Sequence, residues 1–327
     1  MTFDDIIGQQ EIVETLKNVI KNDHVGHAYV FSGPRGIGKK TMAQAFARQL
    51  LCMKGDEHQG CDGCISCRLL DEGTNPDFVA IQPTGSSISI DEIRGIQNDI
   101  IIRPMYSRRK VYAVFNAELM TVQAQNCLLK ILEEPPRYAV IILTVSNYDA
   151  LLETIRSRTI RYNFRKNTTE EITCLLEKRF GNSLKGMDFI AAYSDGVIGT
   201  ALELAESGEF ISLRDRTIDL GLKISRTGLD AIFDMYDFFS ENKDKIDIML
   251  DIMQMLYRDM IMIKTSQDEK MLINYDKKDI ILTNAADFTV QKLIRNIELL
   301  EQTRKNLKFN ANFQLSIEVM LMKLQEE

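Results

Sequence analysis

The chain has 327 residues and sets 40 Lys+Arg against 47 Asp+Glu, a net charge of −7, which excludes a free-standing basic nucleic-acid binder. Its 45% hydrophobic content is enough to build a core in each of the roughly two or three domains expected of this length, so disorder is excluded as the default. The longest apolar run, Ala139–Leu143, falls far short of the ~18 residues of a membrane span, and Met1–Gln10 is acidic without an apolar run, so an unexported, cytoplasmic protein is expected.

In chain order, residues 1–163 alternate helix and strand. Ile12, Val13, Leu16, Val19 and Ile20 recur at helical spacing, and Ala28–Phe31 is a short apolar strand running into a Gly-rich turn at Gly33–Gly38. A helix is predicted over Lys39–Leu51, a strand at Phe78–Ile81, and a helix from Ile90 capped by Ser89 with Glu92 three residues on. Val111–Phe115 and Ala139–Thr144 read as buried strands, with a helix Val122–Glu133 between them that Pro135-Pro136 stops. Strands alternating with helices predict a parallel sheet covered on both faces, an α/β domain.

From Phe164 the strand signals vanish. Thr168–Phe180, Leu184–Ser194 and Thr200–Ala205 read as short helices, and 209–327 as helical throughout. All 6 Pro lie between Pro34 and Pro136 and the last Gly is Gly228, so 229–327 contain neither helix breaker. Met235, Met249, Met253, Met255, Met260, Met262, Met271, Met320 and Met322 fall in this section and read as adaptable core, with some as an inter-subunit surface. The predicted division is 1–163, then 164–208, then 209–327.

Gly33-Pro34-Arg35-Gly36-Ile37-Gly38-Lys39-Lys40 follows a strand, opens a helix and nearly satisfies the phosphate-binding loop G-x-x-x-x-G-K-[ST]. Gly33, Arg35, Gly36, Gly38 and Lys39 are what such a loop offers a phosphate: wrapping backbone N–H groups, cationic side chains and the positive end of a helix. The last position departs. Lys40 stands where a hydroxyl should ligate Mg²⁺, and Thr41 points about 100° away around the helix. Two readings stay open, ATP or ADP binding and a retained scaffold turn. The acids that hold Mg²⁺ and orient water at the end of a second strand are also missing, because Phe115-Asn116 stand there. Glu118 lies further on, in reach of capping the next turn. Both departures point to a chain that does not hydrolyse ATP and has lost its Mg²⁺ site.

Cys52-x8-Cys61-x2-Cys64-x2-Cys67 has the spacing of a tetrahedral Zn²⁺ site, with Gly60 and Gly63 for tight turns. Four thiolates leave no open position for a substrate, so the expected role is structural. Cys127 and Cys174 read as inert thiols; His24 and His27 are scattered, and His58 is a rival ligand. Arg158, in Thr154-Ile155-Arg156-Ser157-Arg158-Thr159, is either a solvated charge or an arginine finger that reaches a neighbour's γ-phosphate. Arg103, Arg108, Arg109 and Lys110, with Arg161, Arg165 and Lys166, are two basic runs, either solvated or touching a DNA backbone.

Taken together, His27-Ala28-Tyr29 before the loop, the cysteine insertion after its helix, Gln123 through Pro136 reading QAQNCLLKILEEPP, and Thr154–Arg158 resemble the delta-prime subunits of the bacterial DNA polymerase III clamp loader, an AAA+ family. The resemblance covers 1–165; the helical remainder agrees in length and class only. It implies a P-loop AAA+ domain with a zinc module over 52–67, a helical lid and an all-α collar. It also implies a hetero-pentameric ring with gamma/tau motor subunits and a delta subunit, which opens the sliding clamp and places it on primed DNA. Where the motor relatives keep the Mg²⁺ hydroxyl, the acidic pair and a lid arginine, this chain has Lys40, Phe115-Asn116 and Gly199-Thr200. The resemblance thus implies a non-hydrolysing stator. The family's Ser-Arg-Cys motif, here Ser157-Arg158-Thr159, implies a finger acting in trans. An active gamma/tau-type ATPase and a zinc-stapled nucleotide-sensing scaffold outside replication remain the alternatives.

Overall fold

The structure, a computed structural model, describes residues 2–54, 61, 63–83, 85–181, 184–226, 231–266 and 272–326. His58, Gly60, Gly228 and Met271, named above, lie outside them. The described residues group into two compact units. One holds Met1–Leu175 with Ser194–Ala201; the other holds Leu176–Tyr193 with Leu202–Glu327.

The first unit is built on five parallel strands, β1 (Ala28–Ser32), β2 (Phe78–Ile81), β3 (Lys110–Val114), β4 (Ala139–Val145) and β5 (Ile160–Asn163), in the order β2-β3-β4-β1-β5. β1, β3 and β4 are buried at every position, which is why they read as unbroken apolar runs. Their side chains alternate between two cores. Tyr29, Phe31, Val111, Ala113, Val140 and Ile142 pack with helices α1 (Gln10–Lys21) and α2 (Lys39–Leu51). Val30, Tyr112, Val114, Ile141 and Leu143 pack with α4 (Ile90–Asp99) and α5 (Val122–Glu133). The short α3 (Ile65–Asp71) follows Cys52, Cys61 and Cys64 and carries Cys67, and α6 (Glu153–Arg156) precedes β5. Ser89 and Glu92 form the expected reciprocal capping box on α4, with the Ser89 N–H donating to the Glu92 carboxylate at 2.7 Å.

β5 corrects the sequence reading, which gave no strand after Ala139–Thr144. The segment Ile160-Arg161-Tyr162-Asn163 adds to the free edge of β1, with Tyr29 opposite Ile160 and Ser32 opposite Asn163. It is an exposed edge strand of mixed polarity, so it lacks the apolar run that marks an interior strand.

The second unit holds α8 (Met187–Tyr193), α10 (Phe210–Lys223), α11 (Ala231–Glu241), α12 (Ile246–Thr265), α13 (Lys278–Ala285), α14 (Val290–Lys308) and α15 (Phe313–Gln325); α12 touches α10, α13 and α14, and α15 packs on α11 and α14. α7 (Thr169–Phe180) and α9 (Ile198–Glu206) straddle the division between the units. Met249, Met253, Met260 and Met320 are fully buried, as expected of core methionines, while Met322 is exposed. Arg214 is buried as well. It holds the Asp276 carboxylate with two hydrogen bonds of 2.7 and 2.5 Å, donates to Asn274 Oδ1 and stacks 4.0 Å from the Phe189 ring centroid.

Candidate functional site

The Gly-rich turn leaves the carboxyl end of β1, inside the sheet between β4 and β5, where parallel α/β sheets gather ligand-binding loops. Lys39 is 6% exposed and folds back onto its own loop, donating to the carbonyls of Gly33 at 2.6 Å and Pro34 at 2.7 Å. Burial lowers its ammonium to about 8, against the upward pull of Glu118. Gly36 (φ 78°) and Gly199 meet backbone to backbone: the Gly199 N–H donates to the Gly36 carbonyl at 2.8 Å. A Cβ on Gly199 would stand 3.0 Å from Gly36 Cα, and one on Gly36 would stand 2.9 Å from Val197 Cγ1. Val197 and the start of α9, Ile198-Gly199, therefore lie directly on the phosphate loop, and both glycines are required for the approach.

The two positions that depart from the motif touch each other. Lys40 Nζ lies 5.2 Å from the centroid of the Phe115 ring and donates to Gln82 Oε1 at 3.0 Å. Gln82 follows directly on β2 and was not singled out from the sequence; the rule that ligand-binding groups gather at the carboxyl ends of strands would have found it. Asn116 takes a left-handed conformation (φ 53°) and its N–H donates to Thr144 Oγ1 at 3.1 Å. Glu118 does not cap its own turn. Its Oε1 accepts the Ser146 N–H at 3.1 Å, which ties the end of β4 to the turn after β3, and its Oε2 is buried without a hydrogen-bond partner among the described residues.

Cys52 ends α2, and Cys64 caps α3, with its Sγ accepting the Cys67 N–H at 3.4 Å. The Sγ atoms of Cys52, Cys61, Cys64 and Cys67 all lie within 4.8 Å of one another. Four thiolates around Zn²⁺ at ~2.3 Å stand ~3.8 Å apart, so the set fits a tetrahedral ion after a small contraction. Burial pushes the Cys64 thiol up, but the N–H groups of Cys67 and Met53 and the neighbouring thiols outweigh it and bring the thiol down to about 7. Burial and the neighbouring cysteines push Cys67 up. Arg48, in the last turn of α2, pairs with Asp71 and reaches the Cys61 carbonyl at 3.3 Å, clamping the module to α2 and α3. Cys127 is buried on α5 and Cys174 is exposed on α7, both away from this group.

Arg158 lies in the loop between α6 and β5. Its guanidinium is 37% exposed, pairs with Glu133 Oε1 at 3.1 Å and donates to the Thr154 carbonyl at 3.1 Å. Four members of the basic runs, Arg109, Lys110, Arg165 and Lys166, are paired with acids. Lys110 is buried on Asp99 at 2.8 Å and Arg109 pairs with Asp23 at 2.6 Å. Arg165 pairs with Glu171, Lys166 with Asp195, and Arg161 stacks 3.8 Å from the Tyr148 ring centroid while donating to Ser32 Oγ. Arg108 and Arg109 line a cavity of about 330 Å³ with Lys21, Lys54 and Cys52. Among the described residues no helix is long and apolar enough to cross a membrane.

The family described as DNA polymerase III, delta subunit, matches residues 8–168, and the C-terminal family of the delta subunit matches 222–326. The DNA polymerase III subunit delta' of Bacillus subtilis is 30% identical, over 97% of this chain and 96% of the relative. The B. subtilis subunit tau is 27% identical over 98% of this chain, which spans 61% of tau's length. A solved gamma-subunit-related protein of Thermotoga maritima covers 95% of this chain and 98% of its own at 21% identity, with a TM-score of 0.46. The cysteine insertion, the phosphate loop on a five-stranded parallel sheet and the near end-to-end match to a delta' subunit place the chain in one family: it belongs to the delta-prime clamp-loader subunits of bacterial DNA polymerase III.

Proposed function

We propose that this chain is a stator of the clamp loader: an accessory subunit that hydrolyses no ATP itself and supplies Arg158 in trans to the site of an adjacent gamma/tau motor subunit. The observation that carries the reading is the contact between Lys40 and Phe115. Mg²⁺-assisted phosphoryl transfer needs a hydroxyl at the first position and an acid at the second, and an ammonium over an aromatic ring supplies neither a metal ligand nor a group to orient water. Glu118 lies three residues past Phe115 with Oε1 engaged by the Ser146 N–H, which leaves one carboxylate oxygen, Oε2, where such a site uses a pair of acids. Gly33, Arg35, Gly36, Gly38 and Lys39 keep the cradle for a phosphate; what is lost is the metal end of the site.

A stator must hold one shape, and the backbone contact of Gly36 with Gly199 ties the phosphate loop to the start of α9. Arg158 suits the role of a finger because it is surface-placed and oriented by Glu133 and the Thr154 carbonyl, so little side-chain freedom is lost when it meets a phosphate. Cys52, Cys61, Cys64 and Cys67 hold a structural Zn²⁺, which supplies a fixed crosslink between α2 and α3 when bound. The residues 1–163, 164–208 and 209–327 serve as AAA+ domain, lid and collar, the collar joining the delta and gamma/tau subunits into a cytoplasmic five-membered ring. Sliding clamp and primed DNA are met through that ring, which is how a chain of net charge −7 takes part in DNA work.

The purified chain with Mg²⁺ and ATP is expected to show no turnover above the buffer blank. Turnover that requires Mg²⁺ and disappears in Lys39→Ala would overturn the stator reading in favour of a motor.

A further inference from the structure

We propose that the phosphate loop takes a nucleoside polyphosphate without its metal, and that Lys40 brings, within the chain, the positive charge that Mg²⁺ brings to an intact loop. This rests on the loop being a phosphate site at all. In an intact motif the hydroxyl of residue 40 and the acid after the second strand hold one Mg²⁺ between them. Here those same two positions hold one ammonium: Lys40 Nζ stands over Phe115 and is steered by Gln82 Oε1. Aromatic face and amide oxygen both favour a cation and neither binds a divalent metal strongly, so they suit the tethered +1 charge that the exposed Lys40 brings.

The charge balance points to the same ligand. Arg35, Lys39 and Lys40 lie on the loop and the N-terminus of α2, and the acid Glu118, which acts on Lys39, already accepts a backbone N–H. Lys39 is almost wholly buried and, among the described residues, hydrogen-bonds to the loop's own carbonyls, a poor substitute for an anion. Free ADP or ATP, carrying its full negative charge, complements this set. Complexed with Mg²⁺, the same nucleotide is less negative and brings a dication towards the ammonium of Lys40.

Calorimetric titration of the purified chain with ADP and with ATP, in EDTA and again in excess Mg²⁺, tests this. Wild type is expected to bind in EDTA and to gain nothing from Mg²⁺. Lys40→Thr is expected to bind about tenfold to a hundredfold more weakly in EDTA, the range for one lost charged contact. The double variant Lys40→Thr, Phe115→Asp is expected to regain affinity only when Mg²⁺ is added. Tighter wild-type binding in Mg²⁺, or an unchanged EDTA affinity in Lys40→Thr, would overturn the role of Lys40 while leaving the loop a nucleotide site. No heat and no shift in melting temperature in either buffer, or EDTA binding that survives Lys39→Ala, would overturn the loop as the site. The stator reading is tested apart from these titrations, by turnover of the purified chain in Mg²⁺ and ATP and by Arg158 in the assembled ring.

Discussion

Lys40 and Phe115 each look like a simple loss in the sequence, and their contact turns them into one arrangement. Gly36 and Gly199 are a second such pair, distant in sequence and touching through backbone atoms. Because the Cβ of Gly199→Ala would press on the Gly36 main chain rather than on a flexible side chain, that variant is expected to lose about 1–3 kcal/mol in denaturant unfolding. A loss within error would show that the start of α9 yields freely. Lys39 gives a pH dependence of definite sign. Its ammonium is lowered by burial to about 8 from an ordinary 10.5, so between those values the unfolded chain binds the extra proton and this side chain's contribution to stability rises with pH. Wild type minus Lys39→Met, measured by urea unfolding from pH 7 to pH 10, is expected to climb in wild type's favour; a flat difference would contradict the burial of the charge.

The elements show what local sequence can and cannot convey. The boundaries of α2 and α5 fall on the predicted residues Lys39–Leu51 and Val122–Glu133, because a Gly-rich start, a Thr121 cap and the Pro135-Pro136 stop are local signals. The capping box of Ser89 and Glu92 is equally local. β5 escaped because an edge strand that pairs on one side needs no apolar alternation, and its partner β1 lies more than a hundred residues earlier. The cysteine cluster was legible from spacing alone, yet the Arg48 clamp on the Cys61 carbonyl was not, since nothing in Arg48's own neighbourhood marks it. The module's role is tested at this scale. Metal analysis is expected to find about one Zn²⁺ per chain, and Cys64→Ser is expected to hold much less and melt at a lower temperature. A Cys64→Ser variant with unchanged zinc and melting point would contradict a four-thiolate structural site.

At the scale of the molecule, the phosphate loop, the displaced acid Glu118 and the cysteine module all belong to the unit of Met1–Leu175 with Ser194–Ala201, while the Pro- and Gly-free stretch 229–327 belongs to the other, helical unit. The α/β class and the all-helical remainder were legible from the strand–helix alternation and from the absence of breakers after Gly228. The pairing of Arg109, Lys110, Arg165 and Lys166 with acids was not, because Asp23, Asp99, Glu171 and Asp195 reach them only through tertiary structure. In a ring, catalysis is shared: a chain that cannot hydrolyse ATP still sets a rate if its arginine completes a neighbour's site. Removal of such a group costs ~10³–10⁵ in rate at the site it serves, partly masked by the ring's other sites. The most direct measurement is the clamp- and DNA-stimulated ATPase rate of the reconstituted complex carrying Arg158→Ala. A complex that assembles normally and loses the turnover of the adjacent motor site is the expected result; one that assembles normally with an unchanged rate would contradict the stator role assigned to Arg158.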